Sequence, residues 1–202
     1  MRRRARPADG IGHASQIYGL ISLLMEYPGP DLLAARDDLA AVAESLPDSP
    51  AAARVARFAR HFAAGRVGTL ESAYVETFDL RRRTTLHLTY GEFGETRQRG
   101  AALVVLKQRY RLAGLVPPES ELPDYLPLLA EFASRSPEAG QAALASCHVG
   151  LELLDRALDG SPYRDLTAAC GLMLGRLSSQ GRERVDSLVM SGPPMEQVGT
   201  GS

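Results

Sequence analysis

Apolar residues recur at spacings of three and four along most of this chain, and proline or glycine interrupts the pattern at short intervals. After Ser136, the apolar positions are Leu144, Cys147, Leu151, Leu154 and Leu158. This spacing places side chains on one face of an α-helix, whereas a half-buried strand alternates. Alanine and leucine also dominate over valine and isoleucine, which favours helices. The chain is therefore predicted to be all-α.

We predict a single-domain helical bundle of about eight to ten helices in residues 14–190. Residues 1–13 are expected to form a flexible basic tail, and residues 191–202 a disordered one. Ser15 is the predicted cap of the first helix, and Asp124 that of a later one. The other predicted helices cover approximately residues 30–45, 51–64, 70–78, 96–113, 137–159, 163–177 and 182–189.

Residues 79–93 are the hardest to assign. Residues 84–90 alternate weakly between polar and apolar, as a strand would, but their neighbours are helical. Because a lone strand has no partner to pair with, we predict a short helix here. In the second predicted helix, at residues 30–45, the candidate core positions are Leu32, Leu33, Leu39 and Val42.

No residue pattern indicates catalysis or metal binding. The four histidines, which lack metal-ligand spacing, are His13, His61, His87 and His148. His87 is expected to be structural, or else to pair with a carboxylate or a ligand. Cys147 and Cys170 lie in apolar helical patterns and are predicted to be buried free thiols. We therefore predict no catalytic residue, no metal site and no cofactor.

Charge and hydropathy exclude two classes of partner. The formal net charge is −1, so no overall field attracts nucleic acid or an anionic membrane. No apolar run approaches the roughly 20 residues that cross a bilayer. The arginine-rich start resembles an export signal, but residues 17–25 form one face of an amphipathic helix rather than a uniform apolar block. A cytoplasmic location is predicted.

Two features leave alternatives open. Arg81–Arg83 form either a clamp for an acidic or phosphate group or a solvated face that pairs with Asp79. Gly91, Gly94 and Gly100 surround a helix start, where free backbone N–H groups can bind an anion. The Gly-Lys-Ser/Thr ending of a phosphate-binding loop is absent, so the glycine spacing alone is a weak indication.

A proline-rich corner is the best candidate for a binding site. Its sequence is Glu121-Leu122-Pro123-Asp124-Tyr125-Leu126-Pro127. Pro123 fixes the backbone, and Pro127 falls in the first helical turn, where its missing N–H costs little. Capping explains Asp124 but not the clustering of a Glu, an Asp and a Tyr. We predict that the corner offers acceptors to arginine or backbone N–H groups of a peptide, with Tyr125 as an amphipathic contact.

Four pieces of sequence, in order, resemble the delta-subunit family of respiratory nitrate reductase, the molybdenum-cofactor assembly chaperones within the redox-enzyme maturation chaperones. They are Tyr74-x-x-x-Phe78-Asp79, Thr85-Leu86-x-Leu88, Gly94-Glu95-Thr96-Arg97-x-Arg99-Gly100 and Glu121-Leu122-Pro123-Asp124-Tyr125-Leu126-Pro127-Leu128-Leu129-x-Glu131-Phe132. A single piece would be weak, whereas four at compatible spacing are specific.

The resemblance implies an all-helical, non-enzymatic, cytoplasmic chaperone. It implies a partner, the catalytic (alpha) subunit of respiratory nitrate reductase, bound through its N-terminal segment while the molybdenum cofactor is inserted and before membrane docking. The alternatives are a helical adaptor for another molybdoenzyme or partner, and a nucleotide-dependent maturation factor. A monomer or weak homodimer is expected.

The resemblance also suggests the binding residues. In the wider group a Pro-Asp-His corner is tied to peptide binding, and here Tyr125 replaces the histidine. Our hypothesis is an apolar groove that accepts an amphipathic peptide, with acceptors at its rim and two arginines that pair with them or with partner carboxylates. The predicted peptide-binding residues are Glu121, Pro123, Asp124, Tyr125, Arg97, Arg99, Phe78, Asp79 and Leu128.

Overall fold

Twelve α-helices form most of the regular structure in the computed structural model, which describes residues 7–194. They are α1 (Pro7–Leu24), α2 (Pro30–Ala34), α3 (Arg36–Glu44), α4 (Pro50–Ala64), α5 (Val67–Tyr74), α6 (Leu88–Phe93), α7 (Arg97–Leu112), α8 (Leu126–Arg135), α9 (Pro137–Ser146), α10 (His148–Ala157), α11 (Arg164–Leu174) and α12 (Ser179–Ser191). A π-helical turn covers Val75–Asp79, and a 3₁₀ turn covers Arg82–Thr84. Within this described part, the sole β-type pairing is an isolated bridge. The all-α prediction is confirmed.

The core lies where α1 packs against α8 and α4 packs against α11. Helix α4 shows how sequence leads to burial: the Ser49 side chain accepts a hydrogen bond from the Ala52 N–H, and Pro50 starts the helix. Its apolar face then buries Val55, Phe58 and Phe62. The residues predicted to form one buried stripe after Ser136 are all buried, namely Leu144, Cys147, Leu151, Leu154 and Leu158.

Two predicted helices are each broken in two, which is why the helix count exceeds the expected eight to ten. Ala35 has φ −85° and ψ 0°, and it separates α2 from α3. Cys147 has φ −107° and ψ 14°, and it separates α9 from α10. Both residues adopt the bridge region, where a helix changes direction. The break at Ala35 turns α3, so Val42 is 48 % exposed and its predicted place in the core is wrong.

The ends of the folded part also differ from the prediction. Helix α1 begins at Pro7, well before the predicted cap at Ser15, so the predicted tail is helical from Pro7 on. Helix α12 is longer than residues 182–189. The rest of the two predicted tails, residues 1–6 and 195–202, lies outside the described residues. None of the described helices combines the length and apolarity that a bilayer span requires.

Both cysteines should be unreactive in the native protein. Cys147 and Cys170 are free and buried, and burial raises the pKa of each thiol from 9.0 to about 12. Because the thiolate is the reactive form, we expect Ellman's reagent to modify neither residue until the protein is unfolded in guanidinium. Rapid modification of one thiol without denaturant would contradict this burial.

Candidate functional site

Two backbone hydrogen bonds join the start of α6 to the start of α8. The Leu88 N–H donates to the Asp124 carbonyl at 3.0 Å, and the Leu126 N–H donates to the Leu86 carbonyl at 2.9 Å. They flank the antiparallel bridge and bring together two of the four sequence pieces. The proline-rich corner thus lies directly beside the segment that precedes α6.

This pairing explains the irregular stretch at residues 79–93. The short helix predicted there is correct for α6, but the residues before it form a 3₁₀ turn and then an extended segment. An extended conformation is stable because residues 124–126 supply the partner that the sequence pattern did not reveal. Thr84 anchors the 3₁₀ turn, since its hydroxyl donates to the Thr77 and Arg81 carbonyls.

The Asp124 carboxylate is completely buried beneath this corner. Its Oδ2 accepts hydrogen bonds from the Thr89 N–H at 3.2 Å and the Thr89 hydroxyl at 2.5 Å. His87 Nδ1 lies 3.3 Å from Oδ1, and Arg99 Nη2 lies 3.6 Å from Oδ2. The residue before α8 is Tyr125, with no side-chain cap. The predicted capping role of Asp124 is therefore wrong, because its side chain turns inward toward Thr89.

These contacts decide the protonation state of Asp124. Burial favours the neutral acid and raises the pKa. The hydrogen bonds from His87 and Thr89, together with the positive charge of Arg99, outweigh burial and lower the pKa below 3.8. Asp124 is thus a buried carboxylate that stays ionised, and its charge is compensated within the fold.

Above this carboxylate, aromatic and acidic side chains meet at the surface. The Tyr125 hydroxyl donates to Glu26 Oε2 at 3.4 Å, and the Tyr125 and His87 rings lie 5.5 Å apart. Glu121 Oε1 lies 3.7 Å from His87 Nε2. Tyr27 is 48 % exposed. We call Glu26, Tyr27, Glu121 and Tyr125 the aromatic–acidic corner.

The electrostatics of the corner keep Tyr125 a hydrogen-bond donor. Burial and the nearby charges of Glu26 and Glu121 raise its pKa to about 12. Partial burial also raises the pKa of Glu26, and the charges of Glu121 and Glu131 act in the same direction. The aromatic–acidic corner is therefore a negatively charged surface that favours a partner with basic side chains or free N–H groups.

An aromatic cluster supports the corner from inside. The Tyr27 ring stands edge-on to Tyr74 with centroids 5.5 Å apart, and Tyr74 contacts Phe78 at 4.8 Å. Phe78 in turn contacts Tyr163 at 4.8 Å. The π-helical turn at Val75–Asp79 contains Phe78, and such turns often occur at functional sites. Phe78 is buried, so it supports the surface from below.

The structure brings some of the predicted binding residues together and separates others. Glu121, Asp124, Tyr125 and Arg99 form one cluster, in which Arg99 pairs with Asp124. The others lie around it: Pro123 is buried, Leu128 packs partly buried against the core, and Asp79 and Arg97 are exposed.

Sequence reasoning missed three members of the site, namely Thr89, Glu26 and its neighbour Tyr27. Thr89 directly follows the Thr85-Leu86-x-Leu88 piece, and its β-branched hydroxyl next to that piece was an available signal. Glu26 lies 99 residues from Tyr125 along the chain, and no local pattern connects the two. His87, left open as a partner of a carboxylate, is adjacent to Asp124.

Of the three glycines considered for phosphate binding, Gly91 and Gly94 lie against neighbouring residues, whereas a Cβ at Gly100 would meet nothing within 4 Å. Gly91 faces Leu153, whose side chain lies 3.5 Å from the position of a Cβ. Gly94 has φ 58°, and a Cβ there would lie 1.9 Å from the Pro194 carbonyl oxygen. The contacts of Gly91 and Gly94 account for these two glycines by packing, without a bound phosphate. Arg81–Arg83 are exposed.

A cavity lies elsewhere in the described part of the chain, between α4, α10 and α11. It has a volume of about 550 Å³ and a charged lining. Arg54 and Arg57 both bind the Asp165 carboxylate, while Arg164 binds Asp155 at 3.2 Å. These ion pairs link α4 to α11 and α11 to α10. Because its lining is charged, the cavity is not the predicted apolar groove.

A family model for the nitrate reductase delta subunit matches residues 44–161, more than half of the chain. The chain belongs to the nitrate reductase delta subunit family. All four sequence pieces lie inside the matched range, so the resemblance drawn from them is confirmed.

Curated relatives agree with this assignment. The nitrate reductase-like protein NarX of Mycobacterium tuberculosis is 36 % identical over 167 residues, which cover 80 % of this chain and 25 % of NarX. The nitrate reductase molybdenum cofactor assembly chaperone NarJ of Escherichia coli is 33 % identical over 123 residues, covering 59 % of this chain and 52 % of NarJ. The chain thus spans a quarter to about half of these relatives.

A solved structure shows the same fold. A protein assigned to redox enzyme maturation in Archaeoglobus fulgidus superposes with a TM-score of 0.61 at 20 % identity. The match covers 87 % of this chain and 98 % of that one. At this identity the likeness concerns the helical architecture alone.

Proposed function

We propose that this chain is a non-catalytic, cytoplasmic assembly chaperone for respiratory nitrate reductase. It binds the apo catalytic subunit through that subunit's N-terminal segment and assists insertion of the molybdenum cofactor before membrane docking. Membership of the delta-subunit family supports the proposal, as does the name of NarJ as a molybdenum cofactor assembly chaperone. The cofactor is cargo of the client, so the chaperone needs no cofactor of its own.

The aromatic–acidic corner carries this proposal. Two carboxylates, the exposed Glu26 and the half-buried Glu121, stand beside the rings of Tyr27 and Tyr125. Tyrosines bury a large apolar ring and still present a hydroxyl, a combination common at protein interfaces. The carboxylates offer charge-assisted acceptors to lysine, arginine or backbone N–H groups. The surface therefore suits a client segment with an apolar face and basic residues.

Asp124 was predicted to contact the bound peptide, and we assign it a different role. With its carboxylate 0 % exposed and engaged by Thr89, it cannot reach a bound peptide. We assign it as a positioning residue, because its contacts to Thr89 and Arg99 hold the first turns of α6 and α7 against the proline-rich corner. The residues that touch the client are Glu26, Tyr27, Glu121 and Tyr125.

A peptide titration tests the proposal. A synthetic peptide copying the N-terminus of the catalytic subunit from the same organism is titrated into the full chain by calorimetry. We expect one site with micromolar to nanomolar affinity, about −8 to −12 kcal/mol. Tyr125→Ala combined with Glu121→Gln removes a ring contact and a negative charge, so affinity should fall at least about tenfold, roughly 1.4 kcal/mol.

The matched control changes an exposed side chain away from the corner. Leu112 is 82 % exposed at the end of α7, so Leu112→Ala should bind the peptide like the wild type. Circular dichroism checks that all variants keep their helices. Unchanged affinity in the Tyr125→Ala/Glu121→Gln variant would place the peptide elsewhere. A wild-type chain that binds no peptide at high micromolar concentration would indicate another client, or recognition of the folded apoenzyme.

A further inference from the structure

Helix α12 is attached to the fold by few buried side chains. Of its 13 residues, Val185 and Leu188 are buried, and neither belongs to the main hydrophobic cluster. Helix α4, with 15 residues, buries seven. Gly175, with φ 82°, ends α11 and leads into an exposed non-helical connection. Helix α12 is thus a peripheral element that packs mainly against α10.

Two polar contacts flank this apolar pair. The Asp186 carboxylate binds Arg156 of α10 at 2.8 Å, and Arg184 Nη2 donates to the Glu92 carbonyl at the end of α6 at 3.3 Å. Both lie at the surface, where the side chains of Arg156 and Asp186 are 40 % and 66 % exposed. Exposed ion pairs contribute little to stability. These contacts therefore orient α12 on the surface but hold it there only weakly.

The chain after α12 continues over the same surface. At Gly94, in the turn between α6 and α7, a Cβ would lie 1.9 Å from the Pro194 carbonyl oxygen. Glycine is required there for the close approach and for the positive φ of 58°. Helix α10 and the α6–α7 turn therefore form one continuous surface that accepts a helix together with the residues following it.

We propose that α10 and the α6–α7 turn form a helix-binding surface for an amphipathic helix of a partner protein, which α12 occupies reversibly in the free chain. Helix α12 defines the chemistry of that partner. It carries apolar residues at positions i and i+3, an acid at i+1 that faces Arg156, and a base at i−1 that faces the Glu92 carbonyl. This is the helix-in-groove mode of recognition. The surface is distinct from the aromatic–acidic corner.

The test detaches α12 and then supplies it as a separate molecule. In the full chain, Val185→Asp/Leu188→Asp places two charges on the buried face of α12. The control, Val189→Asp/Met190→Asp, places the same charges on neighbouring side chains that are 47 % and 90 % exposed. Hydrogen exchange reports whether residues 181–191 open. The probe is a fluorescent peptide copying residues 178–194, whose binding is followed by anisotropy.

We expect the probe to bind the Val185→Asp/Leu188→Asp chain at one saturable site, and to bind the wild type and the control at least tenfold more weakly. A probe carrying the same two aspartates should not bind. Equal binding to the wild type, or none to a folded chain whose α12 has opened, would overturn the proposal. A wild-type dimer that the Val185→Asp/Leu188→Asp change abolishes would also overturn it, in favour of exchange between copies.

A second variant leaves the apolar contacts intact, should the double substitution prevent folding. Asp186→Lys places two positive groups side by side at Arg156 on the surface. The full chain with this change should bind the probe more tightly than the wild type does. Adding Arg156→Glu to it restores an opposite-charge pair and should return binding to the wild-type level. If the affinity for the probe is the same in the wild type and in both variants, α12 does not occupy this surface.

Discussion

Replacing Asp124 with alanine is expected to lower the free energy of unfolding by about 3–5 kcal/mol, as found when one partner of a buried charge pair is removed. The substitution leaves the Arg99 guanidinium, which is 19 % exposed, without its carboxylate. It also strips the buried Thr89 of the acceptor for its N–H and its hydroxyl. Each unsatisfied buried group adds a desolvation cost. Guanidinium unfolding followed by circular dichroism measures the loss.

The control is Glu121→Ala, which lies three residues before Asp124 in the same proline-rich corner. The Glu121 side chain is 34 % exposed and accepts a hydrogen bond from the adjacent Leu122 N–H. Because water replaces such a contact, the cost should stay within about 0.5 kcal/mol. If Asp124→Ala and Glu121→Ala cost the same, the buried network does not stabilise the fold.

The stabilising effect of Asp124 should also depend on pH. Its pKa in the folded protein is lower than the ordinary value of 3.8, so the unfolded chain binds the proton more readily. The contribution is therefore complete above the ordinary pKa and is lost as the pH falls through the folded pKa. The stability difference between wild type and Asp124→Ala should accordingly be constant near neutrality and shrink in acid. A difference that grows in acid would reverse the assigned sign.

Local patterns in the sequence were sufficient for most of the fold. In α4, the proline at its start and the glycine after it located the two ends, and the apolar spacing located the buried face. The breaks at Ala35 and Cys147 could not be found in this way, since neither residue is a glycine or proline. Both are set by the packing of the helices on either side, which a local pattern does not contain.

The candidate site shows the same division more sharply. Pro123 and Pro127 indicated a corner before a helix, and the structure has a turn at Pro123 and Pro127 in the first turn of α8. The orientation of the Asp124 side chain could not be predicted from the sequence. An Asp before a helix can either cap that helix or be buried as an ion, and only its contact with Thr89 distinguishes the two. Glu26 joins the corner only through the packing of α1 against α8. Contacts between distant segments thus decide which residues of a recognisable motif reach the surface.

Replacing Gly150 with alanine should cost about 3 kcal/mol of stability, at the upper end of the range for overpacked cores. Helix α10 crosses α6 at this residue, and a Cβ would lie 1.9 Å from the Leu88 carbonyl oxygen and 2.7 Å from its carbon. Both are backbone atoms, so no side-chain rotation relieves the clash. Moving Leu88 would also disturb its hydrogen bond to the Asp124 carbonyl.

A glycine in open space provides the matched control. Gly171 lies inside α11, and a Cβ there would meet nothing within 4 Å. Alanine loses less backbone entropy than glycine on folding, so Gly171→Ala should raise stability by roughly 0.5–1 kcal/mol. Thermal unfolding should therefore separate the two variants in opposite directions, with Gly150→Ala below the wild type and Gly171→Ala above it. If the melting temperatures of both variants rise, the gain in helix propensity outweighs the clash at Gly150, and α10 does not approach α6 this closely in solution.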